Sequence, residues 1–347
     1  MNPGPVWIDV ANSPQVLFFK PVRNELLGRG IDVVVTARDF SQTVALCRTL
    51  GIPAEVIGQH GGRSLGGKAV ELTSRVAALR RFCRYSRPSV AVGHASYGLT
   101  VAGRSLGIPV LTAMDYEHQP ANHVAFRCAD LVAVPELFPL DLLRRQGARP
   151  YKTWRYSGLK EEVALAGFTP NRGYISDEGI DDSKVVVVVR PPADMALYHR
   201  FGNPLFQRIL ERLRGDEGLS TVLLPRTAGQ AVELASSGFG NLVWHGEALD
   251  GRQLVSGADV VISAGGSMNR EAAVLGTPAY SAYAGRPAAL DRALAADGRL
   301  TFLESEPDIG KMRIVKKPQS SAAPVGKRLL HDFVDKVLWL REGGRRR

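Results

Sequence analysis

The sequence predicts an α/β protein of two doubly wound, Rossmann-like domains, each a parallel sheet covered by helices. Three observations carry this. Short β-branched runs alternate with stretches of helical spacing along the whole chain. The alternation restarts after a polar, Gly/Pro/Asp-bearing stretch at 160–184, where KVVVVVRPP (184–192) opens a second series. A length of 347 residues suits two domains of about 100–200 residues each.

In the first series VWIDVA (6–11) is a short apolar run, and VLFFKPVRNELLGRG then has helical spacing and ends on glycine. IDVVVTA (31–37) is β-branched, and SQTVALCRTLG (41–51) begins on a serine cap and closes on glycine. After AEVIG (54–58), HGGRSLGGK reads as a mobile loop before a helix at about 68–86. SVAVGH (89–94), a helix, IPVLTAM (108–114) and LVAVP (131–135) complete the series. In the second, the unbroken valines of 184–192 mark a parallel strand buried on both faces. A helix at about 199–214 leads to STVLLP (220–225), NLVWH (241–245), ADVVISA (258–264), TPAYSAY (277–283) and RLTFLE (299–304), and a helix at about 325–341 ends the chain. The domains should join near 155–180. Open α/β sheets bind ligands beyond the carboxyl ends of their strands, so the expected site is a cleft between the two.

Composition narrows the class. No stretch approaches the roughly 20 apolar residues of a membrane span, and MNPGPVWIDV has neither the basic nor the apolar region of a signal peptide. Cys47, Cys83 and Cys128 are odd in number and widely spaced, which argues for a reducing cytoplasm over disulfides or structural zinc. The net charge of +10 concentrates in clusters at Arg80–Arg87, Arg144–Arg149, Lys311–Lys317 and Arg345–Arg347. Such an excess attracts phosphates. Without an aromatic RNA-binding motif or zinc-finger spacing, nucleic acid is not the expected partner; an anionic membrane surface fits the clusters better.

The most informative stretch is ADVVISAGGSMNREAAVLGTP. Gly265 and Gly266 allow a tight turn with exposed amides, and Ser267 then caps a helix whose N-terminus suits phosphate. Glu271, four residues on, can accept hydroxyl hydrogen bonds from a ribose. The plainer alternative is a tight turn with Glu271 complementing the helix dipole. Arg190 and Arg226 each follow a strand of the second series and present forks matching phosphate oxygens, with Gln230 as a further polar contact. In the first series, His94 ends a strand, and Asp115, Glu117 and His118 follow another. A histidine beside a carboxylate suits general-base work, against the alternative of a hydrogen-bonded packing residue.

The strand–GG–S–helix order, with Leu275-Gly276-Thr277-Pro278 and a new strand, resembles the nucleotide-binding signature of GT-B glycosyltransferases and UDP-GlcNAc 2-epimerases. Gly285-Arg286-Pro287 is similar to an epimerase segment. VWIDVANSPQVLFFKPVRNELLGRGIDVVVTARD, YSGLKEEV (156–163), VVVVVRPPADMALYH (185–199) and LLPRTAGQ (223–230) resemble a domain-of-unknown-function family of that superfamily, over roughly 5–340. The resemblance implies a GT-B-like fold: residues 1–160 as acceptor domain, 161–324 as nucleotide-sugar domain, and helix 325–341 returning to the first. It also implies a metal-independent transferase using a nucleoside-diphosphate sugar, UDP-linked, in polysaccharide or glycolipid synthesis, with no cofactor. A 2-epimerase and a nucleotide-sugar binder without turnover remain the alternatives. One departure matters: the first cleft loop reads Asn12-Ser13-Pro14-Gln15 where the resemblance suggests a histidine, and Gln15 cannot act as a base.

Overall fold

A computed structural model describes all residues except 1–3, 41, 60–64, 193–203, 226–227, 237–248, 319–323 and 345–347. The chain divides into two compact units. The first comprises Met1–Ala166, Ala288–Leu290 and Gly326–Arg347; the second comprises Gly167–Pro287 and Asp291–Val325.

Among its described residues the first unit holds seven parallel strands: β1 (Val6–Val10), β2 (Val33–Asp39), β3 (Glu55–Gln59), β4 (Val90–His94), β5 (Val110–Ala113), β6 (Leu131–Pro135) and β7 (Thr153–Tyr156). Their order is β3-β2-β1-β4-β5-β6-β7. The order reverses beside β1, the switch point where doubly wound sheets bind ligands. β1, β4 and β6 are buried along their whole length because helices cover both faces. The helix Ser13–Gly28 and the C-terminal helix Arg328–Arg341 share one side of the sheet, where the Phe18 and Phe333 rings meet edge-on at 5.3 Å. The strand β7 was not expected; it lies where the sequence suggested the start of the connection. TWRY is half-buried at its first three positions and lies at a sheet edge, so it lacks the continuous apolar signal of the inner strands.

Among its described residues the second unit has five parallel strands, ordered β12-β11-β10-β8-β9. These are β8 (Val185–Arg190), β9 (Leu219–Leu223), β10 (Val260–Ser263), β11 (Ala279–Ser281) and β12 (Thr301–Phe302). Val186–Val189 are at most 1% exposed, as a central strand between two helix layers requires. Phe206, Ile209, Leu210 and Leu213 form the apolar stripe of the helix Pro204–Leu213 and cover one face. NLVWH, His199 and Arg226 lie outside the described residues. The glycine-rich stretch is helical from Leu65 onward, so its second half is not loop. Among the described residues no helix is long and apolar enough to cross a membrane.

Candidate functional site

In the first unit the strand ends next to the switch point carry a buried charge network. Asp9, within the apolar run VWIDV, is fully buried. A carboxylate there must be compensated. Arg75 supplies the compensation with two bonds from Nη2, at 2.8 and 3.0 Å, and Thr36 Oγ1 donates at 2.5 Å. Ser96 Oγ donates to Oδ2, and Trp7 Nε1 donates to Thr36 Oγ1 at 2.8 Å. Arg75 also reaches the Ile57 carbonyl at 2.9 Å. Gly58, at φ +86°, makes room for it: a Cβ there would lie 2.7 Å from Arg75 Cδ. Asp9 thereby ties β1 to the turn after β4, where Ala95 sits at a positive φ of 51°. This network stands directly behind His94 in the chain.

His94 is the last residue of β4, at the strand end where the sequence put it, and is 7% exposed. Its Nε2 lies 3.2 Å from Asp115 Oδ1, just past the end of β5, while Lys160 Nζ contacts Asp115 Oδ2. Lys160 opens the helix Lys160–Ala164 and is 3.5 Å from Glu161 Oε1. The structure thus brings His94 and Asp115 together and adds Lys160 and Glu161, which the sequence reading passed over. Three charged residues in a row, Lys160-Glu161-Glu162, behind a strand and a glycine were the available signal. Glu117 and His118 form a second pair at 3.4 Å, and Glu117 also accepts the Ala289 amide at 2.7 Å. In the first loop Asn12 caps the helix by accepting from the Gln15 amide at 3.3 Å, and Gln15 Oε1 accepts from Ala11 N at 2.5 Å. Gln15 Nε2 and Ser13 Oγ are buried donors with no partner among the described residues. Gln15 is therefore a shaped polar wall of the loop, not a base.

In the second unit Arg190 ends β8, and Ser263 ends the adjacent β10 opposite it. The helix Gly266–Leu275 begins immediately afterwards, with Gly265 as N-cap and no side-chain cap. This corrects the role expected of Ser267, which is the second helical residue. Ser263 shapes the turn instead: its hydroxyl exchanges hydrogen bonds with the Gly265 amide and carbonyl, both at 3.1 Å. The first helical amides are left without intrahelical acceptors. The second turn of this helix is fixed from below. Arg270 clasps Asp291 with two bonds, at 2.6 and 3.0 Å, and both residues are buried. Asn269 donates to the Ser263 carbonyl at 3.3 Å, and its Oδ1 is a buried acceptor without a partner among the described residues. Neither residue stood out in the sequence. Glu271 is half-buried on the same helix. It lies near Arg252, whose pKa is raised first by its hydrogen bond to Asp250 and least by Glu271. Gln230 is buried and donates to the Pro192 carbonyl at 3.1 Å, which fits a role in shaping the β8 loop.

Two parallel α/β units, each with polar chemistry at its strand ends, define a protein of GT-B-like architecture. The chain belongs to the family described as "Protein of unknown function (DUF354)", whose model matches residues 5–323. It is 28% identical over 282 residues to uncharacterized protein MJ0665 of Methanocaldococcus jannaschii, covering 80% of this chain and 81% of that one. Its fold is similar to that of S. aureus MnaA in a co-structure with UDP: TM-score 0.73, 12% identity, 98% of this chain and 97% of the other. It is likewise similar to the UDP-GlcNAc 2-epimerase from Neisseria meningitidis bound to UDP-GlcNAc: TM-score 0.71, 14% identity, 96% and 99%. The spinosyn rhamnosyltransferase SpnG gives a TM-score of 0.58 at 15% identity over 97% and 95%.

Proposed function

We propose that the protein is a glycosyltransferase using a nucleoside-diphosphate sugar, UDP-linked, with the second unit holding the donor and the first supplying the base. The single observation that carries this is the uncapped, glycine-opened helix beside Arg190 in the second unit. It is the kind of seat that holds a diphosphate. The solved structures of like fold with bound UDP and UDP-GlcNAc support the choice of nucleotide. Glu271 would hold the ribose hydroxyls; Arg190 and Arg226 would meet the charge of the leaving diphosphate.

The acceptor oxygen bonds to the anomeric carbon as the bond from that carbon to the diphosphate oxygen breaks. The acceptor proton passes to His94. Its Nε2 faces Asp115, so Nδ1 is the atom that takes the proton. Asp115 orients the ring and steadies the imidazolium, and Lys160 balances the carboxylate. The protein would work in the cytoplasm, drawing its acceptor from the membrane surface.

The carboxylates gathered in the first unit favour a second reading, a UDP-sugar 2-epimerase-like enzyme. A panel of nucleotide sugars with product analysis decides. Acceptor-dependent release of free nucleotide supports transfer, and an isomerised sugar supports epimerisation. Binding without any product would leave a nucleotide-sugar-binding protein and overturn both enzyme readings.

A further inference from the structure

One basic surface of the first unit takes no part in that chemistry. The helix Leu140–Arg145 and the turn Pro150–Lys152, which join β6 to β7, frame a hollow of about 550 Å³. Arg127, Arg144, Arg149, Tyr151 and Lys152 line it. Arg127 and Lys152 are anchored on carbonyls. Arg127 donates to the carbonyls of His123, Gln146 and Arg145, and Lys152 to those of Phe126 and Ala129, so both cations are fixed in place by the backbone. Gly147, at φ +96°, leaves the space Arg127 needs: a Cβ there would stand 2.5 Å from its Cγ. Arg144, Arg145 and Arg149 are exposed and form no ion pair among the described residues. Against these five cations stand two acids: Asp130, which accepts the Val110 amide and whose charge favours the charged form of Lys152, and the exposed Asp141.

Apolar side chains stand among these cations. Leu137, Leu140 and Tyr151 are 50%, 45% and 56% exposed. Leu140 and Arg144, four residues apart in the helix Leu140–Arg145, share a face, and Leu137 lies in the turn just before it. A polyanion such as RNA would be served by the arginines alone. Exposed leucines and a tyrosine interleaved with arginines match the headgroup boundary of a bilayer, where apolar tips enter and cations meet lipid phosphates.

We propose that this β6–β7 surface docks the protein on an anionic lipid membrane. The proposal deepens the acceptor side of the functional reading, and it is tested without any sugar substrate. The full chain is sedimented with vesicles of phosphatidylcholine alone, or of phosphatidylcholine mixed with phosphatidylglycerol, across a salt series. Binding is expected only to the mixed vesicles and should weaken with salt. Removing three arginines (R144A, R145A, R149A) should lower partitioning about a hundredfold, at about fivefold per cation. The variant L137S/L140S should bind less at every salt concentration. UDP affinity, which reads the second unit, and the thermal melting of the first unit should both be unchanged in the two variants. No binding, equal binding to neutral vesicles, or binding indifferent to the three arginines overturns the proposal. So does an unaltered L137S/L140S variant displaced by mixed-sequence RNA, which would mark a nucleic-acid surface. Vesicle binding with no UDP affinity would leave this surface standing and remove the nucleotide-sugar reading alone.

Discussion

Replacing Asp9 with asparagine tests whether the buried network holds the strand ends of the first unit. Asparagine matches the volume but removes the charge, leaving Arg75, 4% exposed, without its counter-ion. The bonds at stake are the pair from Arg75, one from Thr36 and one from Ser96. Stranding one member of a buried pair costs ~3–5 kcal/mol. At about 2–4 °C per kcal/mol for a unit of this size, Tm should fall by roughly 6–20 °C. Trp7 is a built-in reporter, since its indole is fully buried and bonds to the same Thr36 hydroxyl. Tryptophan fluorescence against temperature would follow this unit. The double variant D9L/R75M removes both charges, and burying apolar groups in place of an ion pair is close to neutral. It should therefore recover more than half of the loss, and the double-mutant cycle gives the coupling directly. A D9N shift below about 2 °C, under ~1 kcal/mol, would mean that Arg75 does not depend on Asp9. A double variant as unstable as the sum of its parts would refute the ion-pair account as well.

Other outcomes follow from the same geometry. Glu271→Ala and Arg190→Ala should each weaken UDP binding about tenfold or more by calorimetry with little change in melting; equal affinities would remove the donor-site assignment. Arg226→Lys keeps the charge but loses the fork, so turnover should fall more than nucleotide affinity. Burial, and then the Asp9 charge, push the Cys83 thiol up to about 12, and burial also raises Cys47. At pH 8 about one Cys83 in ten thousand is thiolate. A disulfide reagent should therefore titrate Cys128 rapidly and the other two only after denaturation; three fast thiols would contradict the packing. Gly103→Ala places a Cβ 2.6 Å from Val110 Cγ2. Overpacking of this kind costs ~1–3 kcal/mol, and Val110→Ala in the same chain should relieve it in a denaturant titration.

The sequence by itself determined the parallel α/β architecture, its restart near residue 184 and the glycine turn at Gly265–Gly266. These are local signals. A strand buried on both faces is a run of valines, as at 185–189, and a helix start after a strand is visible within a few residues. It also singled out His94 and Asp115 as candidates, because ionisable residues at strand ends stand out against apolar runs. The tertiary structure alone decided which charges meet. Asp9 finds Arg75 66 residues away, and Lys160 finds Asp115 45 residues away. Those pairings follow from strand order, with β1 placed between β2 and β4, and β5 and β7 on either side of β6. The edge strand β7 belongs to the same category, whereas the return of the C-terminal helix to the first unit was expected and only its partner, the helix Ser13–Gly28, was not. Burial periodicity is written along the chain, whereas compensation of a buried charge depends on residues that only folding makes neighbours.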